Sequence, residues 1–237
     1  MKLIKQYNFV SDMEINREEW SIQVGEKWAN NEKQQYVDSI ENLFFDDGMH
    51  IKATLKDGII KSSRISTKNK FKFKYGKIDI VAKVPKGKGT WPALWMMPQD
   101  SVYGGWPKSG EIDIMEHCGN DLNDLFLCLH TEKYNHRDNP NKEEQYYEIL
   151  NIPSLTDEFH KYSMLWEKDA ITYYLNDKEL IRYERGQDGR DATYKGWPFD
   201  QDFYLLINLA MGGNFGGSID MDCFPQEFII KDIKIYQ

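Results

Sequence analysis

Three carboxylates, Glu111, Asp113 and Glu116, lie close together just before the middle of the chain, with apolar residues between them. On a helix at about 100° per residue, Asp113 would point away from Glu111 and no pair would converge. The alternation of acids with β-branched isoleucines favours a strand, in which Glu111 and Asp113 share one face. Glu116 then has the wrong parity. A β-bulge at Met115 would return it to the face of Glu111, so the sequence predicts three acids on one sheet surface.

Acids crowded in this way repel one another, which costs stability and raises at least one of their pKa values. One interpretation is a polar outer sheet face whose acids are simply solvated. The other is a glycosidase, in which one carboxyl group protonates the glycosidic oxygen while a second attacks the anomeric carbon or activates water. Asp113 would then lie between Glu111 and Glu116, hydrogen-bond to one of them and separate their pKa values. A transition-metal site on the acids and His117 is not favoured, because alternating strand geometry and the lack of a second nearby histidine do not suit it.

The composition excludes some partners and favours others. The chain has 237 residues, of which 41% are hydrophobic, enough for one substantial core without disulfides or metals. Its formal net charge of -8 opposes binding to nucleic acid or to an anionic membrane, because phosphates would meet a repulsive field, whereas a neutral glucan would not be repelled. Sugars pack their flat C–H faces on indole rings, and we expect about half of the seven tryptophans to lie in the core.

The cysteines and the hydrophobic runs exclude further classes. Three cysteines without a CxxC motif suggest neither a zinc knuckle nor a disulfide framework, and Cys118 and Cys128 are expected to be buried and reduced. No stretch approaches about 18 apolar residues, so no membrane span is expected. Residues 1–6 lack the apolar core of a signal peptide, which predicts a chain that is either trimmed or stays inside the cell.

Short alternating segments separated by polar turns fill the sequence, without a long amphipathic helix, a repeat or a linker. Residues 203–210 are almost continuously apolar and are predicted to form a strand buried on both faces. Asn208, the polar residue near the end of that strand, therefore needs a partner or a ligand. Trp106 lies in a loop rich in glycine and proline beside the acids, where ligand contact is favoured over core packing. The sequence thus predicts an all-β domain in which two antiparallel sheets form a sandwich.

Several motifs in the same order resemble glycoside hydrolase family 16, and more closely its laminarinase-like branch. The run Glu-Ile-Asp-Ile-Met-Glu follows Trp-Pro-x-x-Gly and contains an extra residue before its last glutamate. Further matches are Gly89–Met96, the Asn-Leu-Ala-x-Gly-Gly motif at residues 208–213 and the closing residues 234–237. The resemblance implies a β-jelly roll of two antiparallel sheets with a concave substrate groove, a single catalytic domain over residues 1–237 and a retaining mechanism.

The resemblance also implies roles for individual residues. By position, Glu111 would be the nucleophile, Glu116 the acid/base and Asp113 the residue that assists them, with no cofactor for catalysis. The residues implied in substrate binding are Asn31, Asn42, Arg64, Trp91, Trp95, Trp106, His130 and Asn208.

A structural calcium away from the cleft is common in this family. The matching ligands in this chain would be the side chain of Asp232 and backbone carbonyls near Asn8 and Gly48. The expected partner is a β-glucan polysaccharide, bound by a monomer. A polymeric substrate points to a secreted or cell-surface enzyme.

The function expected from the residues and the resemblance is endo-hydrolysis of β-1,3-glucosidic bonds in laminarin-type glucans. Mixed-linkage β-1,3-1,4-glucan or a galactan are alternative substrates of the same scaffold, because groove loops decide between them. A carbohydrate-binding jelly roll without catalysis would need the aromatic groove but not Glu111 and Glu116, so the presence of all three acids argues against it.

Overall fold

The computed structural model describes residues 1–138 and 144–237, which are mostly β-strand. The strands are β1 (Leu3–Asn8), β2 (Ser21–Ile22), β3 (Gln35–Tyr36), β4 (Leu43–Phe45), β5 (Met49–Lys56), β6 (Ile59–Ser62), β7 (Arg64–Ser66), β8 (Gly76–Lys83), β9 (Thr90–Pro98), β10 (Glu111–His117), β11 (Asp124–His130), β12 (Tyr146–Asn151), β13 (His160–Trp166), β14 (Ala170–Leu175), β15 (Lys178–Glu184), β16 (Phe203–Met211) and β17 (Gln226–Tyr236). A short α-helix, α1 (Gly213–Gly216), and 3₁₀ turns at Ala29–Asn31 and Gln187–Gly189 also occur. In the described part of the chain no helix is long and apolar enough to cross a membrane.

The strands form two sheets. Within the described residues, a ten-stranded sheet runs in the order β15-β14-β13-β8-β17-β5-β6-β3, with β1 paired to β17 and β4 to β5. The other sheet has seven strands in the order β12-β11-β10-β9-β16-β7-β2, and all of its pairs are antiparallel. The acidic strand β10 therefore has a hydrogen-bonded neighbour on each side. The predicted all-β architecture of two largely antiparallel sheets is confirmed.

One apolar core, composed of residues from both sheets, lies between them. In β8, Ile78 and Ile80 are fully buried while the residues between and beside them are only half-buried, which is the period of a strand with one face on a core. By contrast, β16 is buried along its whole length, as its apolar sequence predicts. Of the seven tryptophans, Trp20, Trp166 and Trp197 are core residues, and Trp28, Trp91, Trp95 and Trp106 are half-buried. The expected division of the indoles is therefore confirmed.

The three cysteines are free thiols, and Cys118 and Cys128 are buried, as the sequence predicts for these two. The sulfur of Cys118 lies 3.4 Å from the carbonyl oxygen of Phe215, and that of Cys128 lies 3.5 Å from Nε2 of His130. The turn between β10 and β11 is therefore held by its strand pairing rather than by a disulfide bond.

Candidate active site

A β-bulge in β10 brings the three acids to one face of the seven-stranded sheet. Between Asp113 and Met115 the pairing with β9 advances by two residues in β10 for one residue in β9. Ile114 and Met115 both enter the core, so the alternation is restored for the residue that follows. Glu116 consequently faces the same way as Glu111 and Asp113. The bulge predicted at Met115 is confirmed.

Glu111 is the first residue of β10 and follows Gly110, a position that only glycine can occupy without strain. Gly110 has a φ of +88°, and a Cβ at this residue would lie 2.9 Å from the ring of Phe199, so a side chain at position 110 would be both strained and crowded. The indole N–H of Trp106, in the preceding loop, donates a hydrogen bond to the Glu111 carboxylate. The guanidinium of Arg137 lies 5.0 Å from the centre of the Trp106 ring. The structure therefore brings Trp106 to the acids, as the sequence predicts.

The other two acids also have partners on neighbouring strands. Nε1 of Trp91, on β9, donates a 2.8 Å hydrogen bond to Oε1 of Glu116. Asp113 is only 2% exposed, and Nε2 of His130, on β11, lies 3.3 Å from its Oδ2. Trp91 and His130 thus lie beside the acids, as the resemblance implies.

Burial raises the pKa of all three carboxyl groups, because the charged form loses its hydration. The pKa of Glu111 and that of Glu116 both rise to about 8, and the neighbouring charge of Asp113 adds to the effect of burial in each case. Hydrogen bonds from Trp106 and Trp91 act in the opposite direction, since they favour the carboxylates. The three groups titrate as a unit. Such a cluster can keep one member protonated as an acid while another is ionised as a nucleophile.

A chain of directional hydrogen bonds leads away from the acids across β9, β16 and β3. Nε1 of Trp95 donates to Oδ1 of Asn208 at 2.7 Å, and Nδ2 of Asn208 donates to the hydroxyl oxygen of Tyr36 at 3.1 Å. The Tyr36 hydroxyl donates in turn to the carboxylate of Glu32 at 3.1 Å, and Gln34 donates to the same oxygen at 2.6 Å. Asn208 therefore has the partners that its burial demands. The chain fixes the orientation of the Trp95 ring.

Arg64 lies between two indole rings on the same side of the acids. Its guanidinium is 4.8 Å from the ring centre of Trp95 and 4.9 Å from that of Trp28. Cations over indole faces at this distance attract the ring electrons. The three side chains together form a partly apolar surface, and indole rings of this kind pack on sugar rings.

Aromatic residues also lie on the opposite side, beyond Glu116. The ring of Phe215 is 5.0 Å from that of Trp91 and 4.7 Å from that of Phe126, which is paired with Glu116 across the β10–β11 ladder. Tyr147 of β12 continues the row at 6.3 Å from Phe126. Apolar surface therefore flanks the acids on both sides, along a line that crosses the strands.

The two asparagines implied in substrate binding have different environments. Asn31 is exposed and donates a 2.8 Å hydrogen bond to Asn214, at the rim beside α1. Asn42 has no exposed surface, and its Nδ2 donates to the backbone oxygens of Lys52 and Lys61 and to the Thr54 hydroxyl. Those acceptors belong to β5 and β6 of the other sheet. The prediction that Asn42 contacts substrate is wrong, because its amide fastens two strands in the interior.

The predicted calcium ligands do not fit the ion. Nζ of Lys234 lies 2.7 Å from one oxygen of Asp232, and the Gln6 amide donates to the other at 3.1 Å. The carbonyl oxygen of Gly48 accepts a hydrogen bond from the backbone of Asp46. Because an ammonium group already neutralises the only carboxylate of the set, calcium would have to displace it.

The fold and the site together define a glycoside hydrolase built on a β-sandwich. The chain belongs to glycosyl hydrolases family 16, whose model matches residues 15–220. It is similar to the laminarinase from Flavobacterium sp. UMI-01, with 34% identity, a TM-score of 0.91 and full coverage of both chains. The β-glucanase of Rhodothermus marinus is 34% identical over 232 residues, which span 93% of this chain and 79% of that protein. The predicted jelly roll and family are confirmed.

A third similar structure is a mutant of SCLam, described as a non-specific endo-β-1,3(4)-glucanase and co-crystallised with 1,3-β-D-cellotriosyl-glucose. It is 28% identical, with a TM-score of 0.89, and the match covers 100% of this chain and 94% of SCLam.

Sequence reasoning missed several residues of the site. Three of them, Trp28, Glu32 and Tyr36, lie within a stretch of nine residues near Asn31. The sequence signal that could have identified them is a tryptophan followed by polar and aromatic residues in a turn. Phe215 follows the Gly-Gly motif at residues 212–213 that the sequence singled out for close backbone approach. Its ring faces Trp91 because the short helix α1 turns back over β9.

Proposed function

We propose that this protein is a retaining endo-hydrolase of β-1,3-glucosidic bonds in laminarin-type β-glucans. The observation that carries the proposal is the bulged strand β10, which places Glu111, Asp113 and Glu116 on one open sheet face and gives Glu111 and Glu116 each an indole N–H partner. The laminarinase and β-glucanase relatives support β-1,3-glucan as the polymer.

The mechanism needs two carboxyl groups in opposite protonation states. Glu111, ionised, attacks the anomeric carbon and forms a glycosyl ester while Glu116 gives its proton to the departing glycosidic oxygen. Glu116, now ionised, removes a proton from water, and the water oxygen attacks the anomeric carbon and releases Glu111. Two inversions at the same carbon leave the product with the β configuration of the substrate.

Asp113 and His130 support this exchange of protons. The charge of Asp113 raises the pKa of Glu116, which favours the protonated acid, and it does the same to Glu111. The hydrogen bond from Trp106 opposes this effect at Glu111, since it favours the ionised nucleophile. His130 lies beside Asp113, with Nε2 3.3 Å from Oδ2, and adds a polar group to the floor of the site.

The groove binds a polymer through surfaces on both sides of the acids. Trp28, Arg64 and Trp95 form one surface, and Trp91 and Phe215 belong to the other. Both remain partly exposed, so a glucan can lie across several strands without threading an end into a closed pocket. This arrangement supports cleavage of internal bonds.

Mixed-linkage β-1,3-1,4-glucan is the second candidate substrate. The observation that favours it is the 0.89 TM-score to SCLam, a non-specific endo-β-1,3(4)-glucanase. A galactan is a third polymer to test. The catalytic acids act at the anomeric carbon and do not distinguish glucose from galactose, whereas the groove loops do.

The test is incubation with laminarin, lichenan and agarose, with reducing ends counted and product anomers followed by proton NMR. Release of short β-anomers from laminarin supports the proposal, and Glu111→Gln or Glu116→Gln should lower the rate at least about 10³-fold. The matched control is Glu179→Gln, an exposed acid on β15 of the other sheet, which should retain the wild-type rate. Normal activity of either active-site variant would refute the catalytic roles of Glu111 and Glu116.

The proposal extends to the setting in which the enzyme works. We propose a monomer that is secreted or displayed at the cell surface, since a glucan polymer is too large to pass intact into a cell. Cell fractionation with an activity assay and light scattering of the purified protein test these two points.

A further inference from the structure

A thiol lies among the catalytic acids, and the mechanism does not use it. Cys128 belongs to β11 and is paired with Asp113 of β10, so both side chains lie on the groove face of the sheet. His130, two residues further along β11, lies on the same face. Cys128 is 1% exposed, Asp113 2% and His130 7%. Sulfur, nitrogen and oxygen donors from three residues therefore meet at the floor of the groove.

Two of the three distances between these donors match those around a tetrahedral metal ion. Nε2 of His130 is 3.5 Å from the Cys128 sulfur and 3.3 Å from Oδ2 of Asp113. All three donor atoms lie within 4.8 Å of one another. A tetrahedral zinc ion with bonds of about 2.0–2.3 Å separates neighbouring ligand atoms by roughly 3.3–3.6 Å. The imidazole of His130 is therefore at coordination spacing from both other donors, and the Cys128 sulfur and the Asp113 oxygen lie within 4.8 Å of each other.

A second observation points to a ligand at this position. Oδ2 of Asp113 is buried and accepts no hydrogen bond from the described residues, because the nearby contact with His130 lacks hydrogen-bond geometry. A buried carboxylate oxygen without a donor is costly, and a cation would satisfy it. Glu111 and Glu116 lie on the same face and add carboxyl oxygens close to these donors.

We propose that Asp113, Cys128 and His130 form a site for a thiophilic divalent cation, with Zn²⁺ and Cd²⁺ as the probes, and that an ion bound there stops catalysis. The donor set of one thiolate, one imidazole and one carboxylate suits such ions and disfavours calcium and magnesium. Binding of the ion is independent of the proposed function, whereas the inhibition rests on it.

Inhibition follows from the position of the ion. A divalent cation on Asp113 would engage the carboxyl group that lies between Glu111 and Glu116 on the groove face, so Asp113 could no longer assist them. The ion also holds the imidazole of His130 and presents its fourth coordination position to the groove, where a sugar would lie.

The test titrates the reduced protein with Cd²⁺ and follows the ultraviolet charge-transfer absorption of a cadmium thiolate. One equivalent should produce the band in the wild-type protein, and Cys128→Ser should abolish it and weaken binding by more than about 10-fold in calorimetry. Cys118→Ser, which removes a buried thiol bound to the Phe215 carbonyl, is the matched control and should keep the band. Asp113→Asn keeps the thiol, and it should weaken Cd²⁺ binding by a similar factor if Cys128→Ser fails to fold.

The activity arm uses Zn²⁺ and laminarin. Zinc should inhibit the wild-type and Cys118→Ser proteins at the concentration at which it binds, EDTA should restore the rate, and Cys128→Ser should require more than about 10-fold more zinc for the same fractional loss. A wild-type protein without the cadmium band, or a band that survives in Cys128→Ser, overturns the proposal. A protein that binds Cd²⁺ through Cys128 yet cleaves no glucan upholds the site and refutes the proposed function instead.

Discussion

Two indole N–H groups oppose the rise in pKa of Glu111 and Glu116, the two carboxyl groups proposed to carry out catalysis. Trp106 donates to Glu111 and Trp91 donates to Glu116, and in each case the bond favours the ionised form of a carboxyl group whose pKa burial raises. The bonds are chemically alike, but the mechanism needs one carboxyl group ionised and the other protonated. Their loss should therefore affect opposite limbs of the pH profile.

We expect Trp106→Phe to move the acid limb of kcat/KM to higher pH, because Glu111 without its donor ionises at higher pH. Trp91→Phe should move the alkaline limb to higher pH, because Glu116 then keeps its proton longer. Each shift should be roughly 0.5–1 pH unit, the effect of one hydrogen bond to a charged group screened by the open groove. The measurement is kcat/KM on laminarin across the pH range, which reports the free enzyme. A shift of the same limb by both variants would contradict the assignment of nucleophile and acid.

The crowded acids lower stability at alkaline pH. Burial raises the pKa of Glu116 to about 8, so the folded state holds a proton that the unfolded state has lost, and the stability from that proton disappears as the pH rises to 8. Glu116→Gln removes this dependence. The free energy of unfolding of Glu116→Gln relative to that of the wild type should increase by about 1 kcal/mol or more between pH 5 and pH 8. Each kcal/mol corresponds to roughly 2–4 °C in Tm for a chain of this size.

Thermal unfolding of both proteins at several pH values measures this difference. Glu179→Gln, on the far sheet, is the control and should show no such trend. If the stability of Glu116→Gln relative to the wild type decreased with rising pH, the pKa of Glu116 would be lower in the folded state than in the unfolded state.

At the scale of the strands, the relay from Trp95 through Asn208 and Tyr36 to Glu32 joins segments that are far apart in the chain. Asn208 comes from β16, Trp95 from β9 and Tyr36 from the short strand β3 at the edge of the other sheet. Burial raises the pKa of Glu32, against the opposing effect of its hydrogen bonds from Gln34 and Tyr36. The Tyr36 hydroxyl group both accepts and donates, so its removal leaves the buried Asn208 amide and the half-buried Glu32 carboxylate each with one partner fewer.

Tyr36→Phe should lower the free energy of unfolding by about 1–3 kcal/mol and raise KM for laminarin with a smaller change in kcat, because Trp95 loses the support of Asn208. The matched control is Tyr162→Phe, a buried tyrosine of β13 whose hydroxyl has no hydrogen-bond partner among the described residues, and it should cost little or nothing. Equal destabilisation by the two substitutions, or an unchanged KM in Tyr36→Phe, would show that the relay does not hold the binding surface.

At the scale of the whole molecule, one core joins both sheets and ties the chain ends to the sandwich. The first strand, β1, pairs with the last, β17, and the pair carries the contact between Asp232 and Lys234. A calcium ion at this position would stabilise the folded state by mass action. The ammonium group of Lys234 belongs to the chain itself and pairs with Asp232 without any added ligand.

Unfolding should therefore occur in a single transition, with Tm values in EDTA and in excess CaCl₂ that agree within about 1 °C, since an ion without a site adds no binding energy. Scanning calorimetry measures both conditions, and Lys234→Ala tests whether removal of the ammonium creates a calcium response at Asp232. A rise of several degrees in the wild-type protein on adding CaCl₂ would contradict this expectation.

The sequence by itself determined the strand periods, the bulge at Met115 and the common face of the three acids, because alternation and residue type are local properties of the chain. The buried strand at residues 203–210 and the need of Asn208 for a partner were predictable for the same reason. Only the tertiary structure decided which partner Asn208 has and that Arg64 lies between two indoles, since these contacts join strands distant in sequence. It also placed Asn42 in the interior, because burial depends on what packs against a residue rather than on its own type.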